Sequence, residues 1–216
     1  MILVPVKNLM NAKQRLSDVL SPEMRRELAQ AMCADVLQTL AKWRQSEVSV
    51  VTSDPFARDL ARHLAFEVIA DESNPGETGA IDMATKICCG RGVAWTMVIP
   101  ADIPLIEVED LQKIVDHMPS KGSILVPDAA GRGTNAALRA PADLFPLRFG
   151  NDSFLPHLAS AKATGLPCVV LELRSIALDV DRPEDLETLT AAPGERRSQR
   201  LVRSWNLEVR EQVCRG

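Results

Sequence analysis

Three aspartates stand where apolar runs end, and their type and spacing suit divalent-metal chemistry on a phosphate. Asp102 closes Met97-Val98-Ile99-Pro100-Ala101-Asp102, while Asp179 and Asp181 belong to Leu178-Asp179-Val180-Asp181. Each pattern puts a carboxylate where a buried strand would run out into a loop. If residues 178–181 are extended, the two acidic side chains share one face, with Cα atoms about 6.6 Å apart. Hard oxygen donors at such a place are what Mg²⁺ carrying a bound phosphate requires. Phosphoryl or nucleotidyl transfer is the chemistry such residues would do. Taken singly the signals are weak: Asp102 reads also as a turn former before Pro104, and Asp181, with Pro183 following, as a residue near a helix start.

Basic and hydroxyl groups stand at comparable places. After the first apolar run come Lys7, Lys13 and Arg15, which could neutralise a triphosphate at the carboxyl end of a strand. The segment lacks the glycines of a phosphate-binding loop, so charged side chains would replace backbone N–H donors; a solvated basic loop fits the spacing equally well. Gly131-Arg132-Gly133-Thr134-Asn135 reads as a tight turn between strands, with or without a ligand against its glycines. Gly150-Asn151-Asp152-Ser153 opens a helix and could cup a phosphate, or Asp152 and Ser153 could simply cap it. His157 lies one turn further on; a lone histidine is more often structural than ligating. His63 and His117 fall in surface-like helical patterns. Serine-hydrolase elbows, zinc-protease helices and Walker-type loops find no match.

The elements that must position these groups alternate. Apolar runs at 2–6, 48–52, 67–70, 96–99, 123–126, 136–139 and 168–173 predict strands, with a shorter extended piece at 178–180. Helical spacing predicts helices over 22–40, 55–64, 80–87, 108–118, 153–164 and 183–189, and a loop from Asp71 to Glu77. Strand–helix alternation predicts an α/β domain with parallel pairing and right-handed crossovers. The composition breaks at Ala192-Pro193-Gly194, so residues 1–191 are expected to form the domain. Residues 192–216 are expected to be an Arg-rich extension, carrying six Arg and three Glu and read as a surface helix.

Composition narrows the partners. A net charge of −4 and 4% aromatic residues, with no Tyr, argue against nonspecific nucleic-acid binding and base-stacking platforms. Five cysteines, an odd number with no Cys-x-x-Cys, predict buried free thiols in a reducing cytoplasm. Met1 runs directly into Ile2-Leu3-Val4 without a leader pattern, and no apolar stretch approaches the ~20 residues of a membrane span. A cytoplasmic protein without a membrane partner is the expectation.

Six stretches in order carry a resemblance. They are Val4-Pro5-Val6-Lys7 with Ala12-Lys13-Gln14-Arg15-Leu16; Val51-Thr52-Ser53-Asp54; Ile99-Pro100-Ala101-Asp102-Ile103-Pro104-Leu105; Gly131 to Ala136; Arg148 to Phe154; and Leu178-Asp179-Val180-Asp181-Arg182-Pro183. The set, over roughly residues 1 to 190, resembles the guanylyltransferases of coenzyme F-420 biosynthesis that act on 2-phospho-L-lactate, phosphoenolpyruvate or 3-phospho-D-glycerate. The resemblance implies a Rossmann-like nucleotidyltransferase fold, GT-A-like, as a three-layer sandwich with a mostly parallel sheet. It implies GTP as donor substrate, Mg²⁺ as cofactor, and leaves room for a homodimer. By position it implies metal binding by Asp102, Asp179 and Asp181. Acceptor binding would fall to Thr134, Gly150 and Ser153, and catalysis to Lys7, Lys13 and Arg15. Nucleotide contacts would come from Val4, Pro5, Lys13, Thr52 and Asp102. One departure is Asn74-Pro75-Gly76-Glu77-Thr78-Gly79, where many relatives have a Gly-x-Gly-Leu-Asn-like run; it points toward 3-phospho-D-glycerate. Another transferase of the same fold, such as a molybdenum-cofactor guanylyltransferase, and a non-catalytic nucleotide-binding module are the competing readings.

Overall fold

A computed structural model describes residues 1–71, 76–150 and 152–207. Seven strands form its sheet: β1 (Ile2–Val6), β2 (Val48–Thr52), β3 (Glu67–Ile69), β4 (Thr96–Val98), β5 (Gly122–Pro127), β6 (Thr134–Ala140) and β7 (Cys168–Val170). Their order is β3-β2-β1-β4-β6-β5-β7. β1, β2 and β4 are buried along their whole length, so apolar side chains occupy both faces. Ile2, Val4 and Val6 enter one core cluster and Leu3 the opposite one. That alternation gives a sheet sandwiched between two helical layers.

The first layer holds α1 (Pro22–Lys42), α2 (Pro55–His63), α4 (Val108–Asp116) and the one-turn α6 (Arg174–Ala177); the second holds α3 (Gly76–Gly90) and α5 (Phe154–Ala163). Ser21 accepts from the Met24 N–H and Asp54 from the Ala57 N–H. Each stands before a proline at the first helical position, so the helix starts are set by capping chemistry. Two helices follow: α7 (Pro183–Ala191) and α8 (Arg197–Ser204). α8 packs on α1, where Asp35 accepts from the N–H groups of Arg197 and Ser198 and from the Ser198 hydroxyl. The described part of the Arg-rich extension is therefore a docked helix. No helix among the described residues is long and apolar enough to cross a membrane.

Three expectations, on strand pairing, on the 71–77 loop and on the cysteines, are corrected. Pairing is parallel for β1 with β2 and β4, β2 with β3, and β5 with β7, but β6 runs antiparallel to both β4 and β5. The turn from Pro127 to Thr134 is too short for a parallel crossover. The piece at 178–180 is extended at Leu178 as expected and lies outside any strand ladder: the Val180 N–H donates to the Asp102 carbonyl at 3.2 Å, and Leu178 and Val180 are buried in a cluster of their own. The 71–77 loop is shorter than expected, because Gly76 and Glu77 already form the first turn of α3; Asn74 and Pro75 lie outside the described residues. Cys33 and Cys88 are buried free thiols, whereas Cys89 and Cys168 are partly exposed and Cys214 is outside the described residues.

Candidate functional site

Strand direction gathers the site. β1, β2 and β4 end at one edge of the sheet, and β6, being antiparallel, begins there. The strand order reverses between β1 and β4, the place where open α/β sheets bind ligands. A cavity of about 500 Å³ opens at this edge, lined by Arg15, Glu77, Asp102, Thr134, Gly150, Ser153, Asp179 and Asp181 among others.

A small apolar cluster brings the acidic and basic segments together. Leu16 and Leu20, from the loop after β1, pack with Leu178 and Val180, with Leu28 and Met32 of α1, with Leu186 and Leu189 of α7, and with Val202 of α8. Alternation does the rest: Leu178 and Val180 face this cluster, so Asp179 and Asp181 face the cavity. Asp185 fixes the register by accepting from the N–H groups of Asp181 and Arg182. Asn135 donates to the carbonyls of Ile176 and Ala177 and so holds the approach to Asp179.

Within the basic loop, Lys13 turns inward while Arg15 stays half-exposed. Lys13 has its side chain only 7% exposed, and its ammonium lies 2.8 Å from an oxygen of Asp102 and 2.8 Å from one of Asp181. Its backbone is left-handed, at φ 56°. Burial alone would lower the Lys13 pKa, but Asp102 and Asp181 outweigh it and hold the group above the ordinary lysine value. Arg15 reaches Asp181 at 3.2 Å. Burial opposes ionisation of Asp181, yet Lys13 and Arg15 leave it below the usual carboxylate range. Asp179 behaves oppositely: burial first, then the neighbouring Asp102, push it up to about 6.

This arrangement bears on a divalent cation. A cation, the Lys13 ammonium, already stands between Asp102 and Asp181, and the donors around it are hard carboxylate oxygens. The cavity lining also carries more carboxylates than guanidiniums, a poor host for anionic ligands unless cations accompany them. The residues therefore fit Mg²⁺. Among the described residues no three acidic, histidine or cysteine groups stand close enough to grip a metal as they are.

The same cavity is also lined by a cup of hydroxyl and backbone groups. Asp128 accepts from the N–H groups of Arg132 and Gly133 at 2.8 and 2.7 Å, which folds the β5–β6 turn over the cavity; a side chain at Gly133 would strike that carboxylate. Gly150, at φ 128°, has open space where a Cβ would be. The alternative of capping by Ser153 does not hold: its hydroxyl makes no cap bond and instead accepts from the Thr134 N–H at 3.1 Å. The Arg148–Gly150 approach is anchored by buried Arg139, which donates to the Phe145 carbonyl, and by the Thr78 hydroxyl, which accepts from the Phe149 N–H.

Several expected groups stand elsewhere. Lys7 pairs with buried Asp71 and does not line the cavity. Val4 is wholly buried in the core, Pro5 is buried in the same strand, and the Thr52 hydroxyl donates to the Val6 carbonyl; none of the three reaches the cavity. His63 and His117 are exposed, as expected. Missed was Asp128, while Glu77 was visible only as part of the variant loop. The first had a signal: Ile124-Leu125-Val126-Pro127-Asp128 repeats the apolar-run-then-aspartate pattern of Asp102. Glu77 had none beyond its place in the variant loop. It lines the cavity, and burial first, then Asp102, push its carboxyl up to about 7 against the opposing pull of Lys7 and Lys13.

Comparison with known proteins bears on this geometry. The family model described as guanylyl transferase CofC like matches residues 1–215. The phosphoenolpyruvate guanylyltransferase of Sphaerobacter thermophilus is 34% identical over 189 residues, 87% of this chain and 90% of that protein. The 2-phospho-L-lactate guanylyltransferase of Methanothermobacter thermautotrophicus is 33% identical over 184 residues, 85% of this chain and 81% of that one. Among solved structures, a putative nucleotide-diphospho-sugar transferase from Desulfovibrio desulfuricans G20 shares the fold with a TM-score of 0.76 at 21% identity, covering 94% of this chain and 93% of its own.

Proposed function

The chain belongs to the CofC-like guanylyl transferase family, and from that premise we propose that it transfers GMP from GTP to the phosphate of a phosphorylated three-carbon acid, 3-phospho-D-glycerate in preference, with release of pyrophosphate. The observation that carries this reading is the meeting, in one cavity, of an acidic and basic cluster with a cup of phosphate-type donors. An oxygen of the acceptor phosphate attacks the α-phosphorus of GTP, the bond to the bridging oxygen breaks, and pyrophosphate leaves with that electron pair. The nucleophile is already anionic, so alignment and charge neutralisation rather than proton abstraction lower the barrier. Mg²⁺, held by Asp102, Asp179 and Asp181, would supply neutralisation at the nucleotide phosphates. Lys13 and Arg15 add positive charge beside them, and Thr134, Gly150 and Ser153 receive the acceptor phosphate.

Glu77 supports the choice of acceptor. Its carboxyl lines the cavity and can hydrogen-bond a hydroxyl. 3-Phospho-D-glycerate has a free hydroxyl on C2; 2-phospholactate and phosphoenolpyruvate carry their phosphate on that oxygen. The test is incubation with GTP, Mg²⁺ and each of the three acids, with products resolved by mass. A guanosine diphosphodiester formed fastest from 3-phospho-D-glycerate is the expected result. A different preferred acid overturns the acceptor choice, and product from none of them overturns the reaction.

A further inference from the structure

Buried His157 touches three residues in two segments of the acceptor cup and stands outside every role assigned above. Its Nε2 accepts from the Arg148 N–H at 2.7 Å, and its Nδ1 lies 2.9 Å from the Thr134 hydroxyl oxygen. The Phe149 ring meets the imidazole edge to face, with centroids 5.5 Å apart. A backbone N–H can only donate, so Nε2 must offer its lone pair and the ring hydrogen must sit on Nδ1. Nδ1–H then donates to Thr134, and the Thr134 oxygen is committed as an acceptor. Its own proton has no protein acceptor among the described residues, and Thr134 lines the cavity.

We propose that His157 is a positioning residue for the acceptor site, using Nδ1–H to hold the Thr134 hydroxyl as a hydrogen-bond donor toward the incoming phosphate. The inference rests on the reading of this cup as the acceptor-phosphate site. The same logic acts on Ser153, whose oxygen is committed to the Thr134 N–H, so both hydroxyls present hydrogens to the cavity. A phosphate, which only accepts at neutral pH, is the ligand two such donors suit; a sugar hydroxyl or an ammonium gains less. Burial supports the assignment by holding the ring's pKa down to about 4, with Arg139 adding to the effect, so the imidazole stays neutral.

The test is a double-mutant cycle read as KM for the phosphorylated acid and, separately, KM for GTP. Thr134→Val is expected to raise the acceptor KM about 10- to 100-fold, the worth of one hydrogen bond to a charged group, with the GTP KM unchanged. His157→Phe is expected to raise the acceptor KM alone, and the double variant to be little worse than Thr134→Val, because both remove the same hydrogen bond. His157→Asn, which keeps an N–H near the Nδ1 position, is expected to fall between wild type and His157→Phe. Additive effects, or an unchanged acceptor KM in His157→Phe, overturn the role of His157 while leaving the cup reading intact. An unchanged acceptor KM in Thr134→Val overturns the cup reading and this inference with it. If His157→Phe does not fold, ¹⁵N shifts of the native imidazole decide: the hydrogen is expected on Nδ1, and a hydrogen on Nε2 refutes the proposal.

Discussion

Replacing Lys13 by methionine keeps the aliphatic stem and deletes the ammonium bridging Asp102 and Asp181. At an effective dielectric of about 20, a contact of 2.8 Å is worth about 6 kcal/mol gross. Desolvation of the ammonium offsets most of this, and both carboxylates are about one-third exposed. The net loss is therefore about 1–3 kcal/mol rather than the 3–5 of a fully buried pair broken on one side. In EDTA the variant should melt lower, by about 2–4 °C per kcal/mol for a chain of this size. Mg²⁺ reverses the ranking. On the proposed metal reading, Mg²⁺ in the wild type competes with the Lys13 ammonium for Asp102 and Asp181, whereas in the variant it would meet two unneutralised carboxylates. Free of nucleotide, Lys13→Met should bind Mg²⁺ about 5- to 150-fold more tightly, the same 1–3 kcal/mol expressed as affinity. On the proposed reading turnover should still fall, because the variant lacks the positive charge assigned to the nucleotide phosphates. Calorimetric Mg²⁺ titration and thermal melts measure both effects. Equal Mg²⁺ affinity together with equal melting in EDTA would refute the reasoning.

Asp102→Ala and Asp179→Ala should each lose about 100-fold or more in turnover, several kcal/mol of barrier, with unchanged circular dichroism; wild-type rates in either would reject its place in the reaction. The His157 ring has a folded-state pKa of about 4, below the ordinary 6.5, so its contribution to stability is present above pH 6.5 and is lost as pH falls toward 4. The full span is worth about 3 kcal/mol. Urea midpoints followed from pH 7 to 4.5 should thus fall more steeply for wild type than for His157→Asn, and parallel curves would contradict the burial argument. Asp35→Ala removes the acceptor of three hydrogen bonds at the start of α8. It should cost about 2 kcal/mol and speed proteolytic cleavage near residue 196; an unchanged digestion pattern would show that other contacts hold the helix.

Much of the scaffold is legible because burial writes itself into apolar runs. Ile2–Val6 and Val48–Thr52 are buried on both faces and read as strands without ambiguity. Direction is less visible. Alternation of strands and helices suggests parallel pairing throughout, yet only six residues separate β5 from β6, and that length is the better guide. At 178–180 the apolar–acidic alternation is real, but burial in a side cluster satisfies it in place of a ladder. The convergence of Asp102 with Asp181 is readable from pattern, because both follow buried segments. The inward turn of Lys13 is not, since a basic loop looks the same whether it faces water or two carboxylates. Nor is the contact of His157 with Thr134, which lies 23 residues away, because no local spacing links them.

The apolar cluster under Asp179 and Asp181 makes the end of the chain a brace for its centre. Leu16 from the loop after the first strand and Val202 from the last helix lean on the same few leucines. Undocking α8 would therefore slacken the acidic segment first, while the sheet, whose two cores lie elsewhere, keeps its shape. Such a molecule can lose its catalytic alignment and still look folded, so gentle heating should silence it before it melts.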